Sequence, residues 1–336
     1  MTAAWTGGQY SVLRVLLALA TARLVLTSET GALLQLVGLA LVVPLAIGAR
    51  DRVASLALAV FMATTSRWAS AVLALHAALP PAPYGSWDAR GRTDPGDDWQ
   101  MPPWAPPLAW GTLVLVHVIS GFTLLTGGAA LLGLGELGAV ALAAVPERRR
   151  WAWLALTLLA IANNDPLGLL LVHAFAFDPG WIPASTRITP AVIFYDGGCG
   201  LCHRAVRFVL AEDNTGLLRF APLQSAAFER LVPPDVRDAL PDSMVVCARD
   251  GQLLVRSRAV IEIGTALGGL WRAGATLLML PPTEVADRAY DFVASVRRRL
   301  FAPPDATCPL VPPRLRARFV SDDPEPAVQP EPSAPR

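Results

Sequence analysis

Six apolar stretches crowd the first half of the chain, at about residues 11–27, 31–48, 53–80, 107–126, 128–145 and 151–176. Each approaches the ~20 residues that a bilayer-crossing helix needs. From about residue 178 onward, charges and turn residues return to ordinary density. Hydrophobic residues make up 53% of the whole and charged residues 16%, with a mean hydropathy of +0.44, a balance that places the first half in lipid. The chain therefore reads as an all-α transmembrane bundle of five to six spans over residues 1–180, followed by an α/β domain over 188–320. Residues 321–336 are polar and proline-rich, the composition of a disordered tail.

Ala20-Thr-Ala22 imitates a signal-peptide cleavage site, but the apolar run continues through Leu24-Val-Leu26, so the first segment reads as a retained helix. Residues 81–106 carry many prolines, Asp88, Asp94, Asp97 and Asp98 and several tryptophans, and read as a water-exposed loop with interfacial aromatics. Arg50 and Arg52 mark a cytoplasmic end, as do Arg148, Arg149 and Arg150. Gly127-Gly128 and Asn163-Asn-Asp-Pro166 interrupt later segments, the second as a re-entrant stretch or two half-helices. The side of the C-terminal domain inclines to the cytoplasm.

Three of the four histidines, His76, His117 and His173, fall in apolar segments together with Arg14, Arg23 and Arg67. Ionisable groups in lipid face a bundle interior and mark haem ligation, quinone binding or a proton path, or else bond one another across helices. No spacing ties the three histidines to one ligand, so no cofactor is assigned.

A net charge of +1, without a basic stripe, argues against nucleic acid as a partner. Every basic residue is arginine and alanine, proline and glycine abound, which suggests a GC-rich bacterial genome and an inner membrane. Four cysteines in 336 residues are too few for a secreted disulfide scaffold, and all of them (Cys199, Cys202, Cys247, Cys308) lie in the second half.

Cys199 and Cys202 close the stretch Asp196-Gly-Gly-Cys-Gly-Leu-Cys, entered from the apolar run Ala191-Val-Ile-Phe-Tyr195. The run reads as a buried strand. The next helix, Leu201 to about Asp213, places Leu201, Ala205, Phe208 and Val209 on one face. A second strand follows at Leu217–Phe220, then a hairpin of Met244–Ala248 and Gln252–Val255 around Arg249-Asp-Gly251. Helices follow at about 257–267 and 283–300. A β-α-β start, a hairpin and a closing helix, with Cys-x-x-Cys at the first helix N-terminus, make a thioredoxin-like arrangement.

Phe194-Tyr-Asp-Gly-Gly-Cys-Gly-Leu-Cys202, Arg219-Phe-Ala-Pro-Leu-Gln224, and Tyr290-Asp-Phe-Val-Ala294 with Arg297 to Phe301 and Cys308 closely resemble the DCC family. The resemblance covers about residues 188–320. It implies a thioredoxin-like fold and thiol-disulfide oxidoreductase activity on an Asp-x-x-Cys-x-x-Cys pattern at Asp196, Cys199 and Cys202. Ser120-Gly-Phe-Thr and His173–Pro183 resemble DoxX-like or HTTM-type membrane modules, a likeness that implies no activity.

The expected chemistry is that of a membrane-anchored protein-disulfide reductase acting on a protein or small-molecule thiol or disulfide. Cys199, nearest the helix N-terminus, is the nucleophile and Cys202 the resolving thiol. Asp196 either relays protons or serves as a turn residue beside Gly197-Gly198. His203 and Arg204 are expected on the helix surface as modulators of the thiols. Proline is displaced from the position before Met244 where thioredoxins hold a cis-proline, which leaves room for a different partner.

Three alternatives stand beside this reading. Cys199-Gly-Leu-Cys-His203 matches a c-type haem attachment pattern, with Met244 or Met279 as a second axial ligand. Zinc could use all four cysteines, although Cys247 reads as core and Cys308 as a single thiol after the last helix. A non-catalytic redox-sensing or docking module is the third. The redox-active dithiol requires neither cofactor nor metal.

Overall fold

The computed structural model describes residues 5–163, 166–302 and 311–321. It divides into two compact units, Met1–Pro183 with Gly268–Trp271, and Ala184–Leu267 with Arg272–Arg336.

The first unit contains eight α-helices among the described residues: α1 (Gly7–Leu26), α2 (Ala32–Ile47), α3 (Asp51–Met62), α4 (Arg67–Ala78), α5 (Ala105–Thr126), α6 (Ala130–Ala143), α7 (Arg149–Ala162) and α8 (Leu167–Ala176). The span expected at 53–80 is two helices. Ser66 stops it, its hydroxyl accepting the Ala69 N–H at 3.3 Å as an N-cap that starts α4. The 151–176 segment is likewise split, at the interruption read from Asn163–Pro166. Two helices, α1 and α5, are long and apolar enough to cross a membrane; α2, α6 and α8 are apolar but shorter. Among the described residues, two of the expected spans therefore have full bilayer length within one helix. Helices α5 and α6 meet where Gly121 faces Gly133, and a Cβ on Gly133 would lie 2.6 Å from the Gly121 carbonyl oxygen, so only glycine allows this approach.

Polarity in this unit is turned inside out. Leu33, Leu36, Val60 and Leu131 are exposed by 65–86%, whereas Arg14, Asp51, His76, His117, Glu136 and His173 are buried. The buried groups form two clusters. Asp51 lies 3.4 Å from Arg14 and 3.6 Å from His76, whose Nδ1 meets the Tyr10 hydroxyl. His117 and His173 meet at 3.1 Å through their Nε2 atoms; Glu136 stands 3.3 Å from His117 and Thr157 lies 2.9 Å from His173. Arg23 and Arg67 are exposed instead, Arg67 lying over the Trp68 ring.

The second unit is a four-stranded mixed sheet with helices. Its elements are β1 (Ala191–Tyr195), α9 (Gly200–Glu212), β2 (Leu218–Pro222), α10 (Ala226–Leu231), α11 (Pro234–Asp238), β3 (Val245–Cys247), β4 (Leu253–Val255), α12 (Arg256–Leu267), then α13 (Gly269–Leu278) from Arg272 onward, α14 (Thr283–Leu300) and α15 (Pro313–Arg316). Strand order is β2-β1-β3-β4, with β1 and β2 parallel and both other pairings antiparallel. Asp213 ends α9 and seats β2, its carboxylate accepting the N–H groups of Thr215, Gly216 and Leu218 and the guanidinium of Arg318. The chain after α15 pairs with the β2 edge through Phe220 N–H to Arg318 C=O and Val320 N–H to Phe220 C=O. Phe194, Tyr195 and Phe220 are fully buried in the sheet, each contributing on the order of 1.5–3 kcal/mol of transfer free energy. The 321–336 tail falls, after Ser321, outside the described residues.

Candidate functional site

The apolar strand β1 delivers the chain to the C-terminal edge of the sheet, where it turns through Asp196 into α9. Asp196 performs the turn: its Oδ1 accepts the Gly198 N–H at 3.0 Å and its carbonyl accepts the Cys199 N–H at 3.1 Å. Gln224, beyond β2, clamps the same loop. Its amide donates to Asp196 Oδ1 at 3.2 Å and accepts the Gly197 N–H at 3.1 Å.

Cys199 is the N-cap of α9, with extended backbone, and its Sγ accepts the Cys202 N–H at 3.4 Å. That places a sulfur where a helix N-terminus favours negative charge. Cys202 lies one turn on, and both cysteines are buried and free of any disulfide. Burial, then hydrogen bonding to Cys199, pushes the Cys202 thiol up to about 12, against the opposing pull of Arg297 and the Asp196 backbone N–H. Cys202 is therefore a thiol at neutral pH. Its proton stabilises the reduced fold fully below about pH 9 and is lost as pH rises toward 12. In Cys199→Ser protein, where burial still acts on Cys202, its alkylation by iodoacetamide should keep rising with pH beyond the ~8.5 at which a free cysteine levels off. Peptide mass spectrometry reads this directly, and a plateau below pH 9 would contradict it.

Three residues that the sequence reading quoted as motif or passed over converge here. Arg297 on α14 is buried; its Nη2 lies 2.6 Å from Asp242 and 3.8 Å from Asp196. Tyr290, two turns earlier, accepts the Met244 N–H at 2.9 Å, and burial raises its pKa. Gly200 is required by the chain that leaves α14, because a Cβ there would lie 2.2 Å from the Ala302 carbonyl oxygen. Gly200→Ala should cost about 1–3 kcal/mol of stability. Gly198→Ala, whose Cβ would make an ordinary 3.5 Å contact with Asp196, should cost less than about 1 kcal/mol in the same thermal unfolding comparison.

His203 is not on the surface. It is buried, its Nε2 donates to the Gly197 carbonyl at 3.1 Å, and its ring packs edge-on against Tyr195. The buried face of α9 runs through Cys202, His203, Val206, Val209 and Leu210, about one residue away from the expected stripe. The imidazole that an axial haem ligand would supply is thus turned into the domain. Arg204 is exposed, as expected of the helix surface, and lies 4.8 Å over the Phe301 ring. Cys247 is half-buried in β3, its thiol pushed up by burial. Among the described residues no group of three His, Cys, Asp or Glu is placed to hold a metal. Cys308 lies outside the described residues. Among the described residues of the second unit the cis peptide bond is Thr189-Pro190, entering β1, and not one preceding β3.

A mixed sheet whose first helix opens on two adjacent free thiols belongs to the dithiol–disulfide class of site. The chain matches the family of DCC1-like thiol-disulfide oxidoreductases over residues 193–303, and it belongs to that family. It is 34% identical over 140 residues to the uncharacterized protein YuxK of Bacillus subtilis (strain 168), covering 40% of this chain and 98% of that one. It is 30% identical over 115 residues to a chloroplastic DCC family protein of Arabidopsis thaliana, covering 34% of this chain and 67% of that one. No solved structure matches the chain.

Proposed function

We propose that this protein is a membrane-anchored thiol-disulfide oxidoreductase with a thioredoxin-like catalytic domain. Cys199 is the nucleophile and Cys202 the resolving thiol. The observation that carries the reading is the asymmetry of the pair: one sulfur caps a helix and accepts a backbone N–H, while the other is held protonated one turn deeper. The Cys199 thiolate attacks one sulfur of a substrate disulfide, forming a mixed disulfide and releasing the other substrate sulfur as a thiolate. Cys202 then loses its proton and attacks the Cys199 sulfur. The Cys199–Cys202 bond closes, the second substrate thiol leaves, and two electrons have passed to the substrate. Asp196 is a positioning residue that shapes the loop and faces Arg297; a proton relay through its carboxylate is part of the same proposal.

Anchoring rests on the inverted polarity of the helical unit, apolar outside and ionisable inside, and on the span-length helices α1 and α5. With the 151–176 stretch re-entrant, cytoplasmic arginines at 50, 52 and 148–150 put the cysteine domain on the cytoplasmic side of a bacterial inner membrane. A membrane-impermeant maleimide should then label Cys199 in lysed cells and not in intact ones, and the protein should resist extraction by alkaline carbonate. Labelling in intact cells would refute the orientation, and release by carbonate would refute the anchor. Catalysis is tested by coupled reduction of a disulfide by the full chain in nanodiscs with a dithiol as electron donor. Turnover above the uncatalysed rate is expected, and its absence would reduce the domain to a sensing or docking module.

A further inference from the structure

A cavity of about 500 Å³ opens beside Cys202, walled by α9, α12 and α14. Its size falls in the range of small-molecule sites. The walls are aliphatic, and Val260, Leu278, Val285 and Val293 on them are 41–50% exposed, so apolar surface is left uncovered at the reactive pair. Arg297 and Tyr290 line the same space. Arg297 is 4% exposed, and its Nε–H has no acceptor among the described residues. Tyr290 accepts from Met244, which leaves its hydroxyl hydrogen without an acceptor among the described residues. The Tyr290 hydroxyl is the donor that a ligand acceptor in this space can meet.

Charge and backbone geometry narrow the occupant. Arg297 already faces two carboxylates, Asp196 and Asp242, so a third anion would meet net negative charge; a neutral carbonyl would not. An extended polypeptide would need free backbone partners beside the sulfurs. At Met244 both are engaged, the N–H by Tyr290 and the C=O by the Ser243 hydroxyl at 3.1 Å.

We propose that this cavity is the substrate subsite of the cysteine pair and takes a small, largely apolar disulfide bearing a neutral carbonyl close to its sulfur. The proposal rests on the dithiol reading above and names its substrate class. The exchange is the one already described: the bound disulfide is reduced to two thiols, and the Cys199–Cys202 pair is oxidised to a disulfide.

The test uses full-length, pre-reduced protein in nanodiscs with the reductant removed, so that each molecule reacts once and supplies its own electrons. Two neutral diamides are compared, 2,2′-dithiobisbenzamide and 3,3′-dithiobispropanamide, which carry the same carbonyl near sulfur and differ in their apolar body. Val293→Trp fills the cavity from a half-exposed position and should slow the aromatic diamide at least about tenfold more than the propanamide; Val260→Trp should act alike from the α12 wall. Equal effects on both diamides in both variants, or none on either, would overturn the subsite. So would an equal loss on a cystine-bridged peptide, which would assign the cavity to polypeptide side chains. If the wild type reduces neither diamide nor the cystine-bridged peptide, the redox reading fails on its own. The cavity is then judged by calorimetry with 2-(methylthio)benzamide, which cannot exchange: saturable binding that weakens tenfold in Val293→Trp upholds the subsite, and no binding refutes it.

Discussion

Cys199→Ser should abolish disulfide turnover, lowering the rate by about a thousandfold or more, because no other thiolate occupies the helix N-terminus. Serine is itself a favoured N-cap and can accept the Cys202 N–H that the sulfur accepts now, so α9 keeps its start and the loss is chemical. Cys202→Ser should behave differently. The first attack survives, the resolving step does not, and a mixed disulfide with substrate accumulates on Cys199, visible as a mass increment removed by dithiothreitol. Turnover that persists in Cys199→Ser, with its fold intact by circular dichroism, would move the nucleophile elsewhere.

Arg297→Met should produce the largest effect among residues that touch neither sulfur directly. Arg297 is buried and joins the Asp196 loop to Asp242, so its removal leaves the Asp196 carboxylate, 14% exposed, without that cation. Asp242 is 65% exposed and water takes over its share, which limits the expected cost to about 1–3 kcal/mol. The second consequence is at Cys202. Arg297 opposes the upward shift of that thiol, so without it the thiol is held protonated still more firmly. Closure of the Cys199–Cys202 bond should slow throughout pH 7 to 10 while keeping its roughly tenfold rise per pH unit, its plateau moving to higher pH, and Arg297→Lys should recover part of that loss and of the stability. A merely structural arginine would lower the melting temperature and leave the pH profile of closure unchanged.

The parts of this account that were legible in the sequence are those carried by neighbours along the chain. Ala191–Tyr195 forms a strand because it is a short apolar run ended by Asp-Gly-Gly, and Gly251, at positive φ, makes the turn expected of Arg249-Asp-Gly251. The cysteines fall at a helix start because a strand and two glycines precede them. Contacts between distant positions were not legible. Gln224 reaches Asp196 across 28 residues and Arg297 reaches Asp242 across 55, and local pattern gives no sign of either. His117 and His173, 56 residues apart, meet in the helical unit although no spacing suggested it. The placement of His203 could have been read: it lies three residues before Val206 and six before Val209, on the stripe that the core selects. The undivided 53–80 span failed for a local reason, since the Ser66 cap outweighs continuous hydropathy.

The account depends on two sulfurs that can join. Equilibrating the full chain in nanodiscs across a series of dithiothreitol redox buffers, then alkylating and weighing the peptides that carry Cys199 and Cys202, measures that directly. The account predicts one two-electron transition in which both thiols disappear together and a bond between Cys199 and Cys202 is recovered. Thiols that stay alkylatable at every potential, or that vanish one at a time, would contradict it.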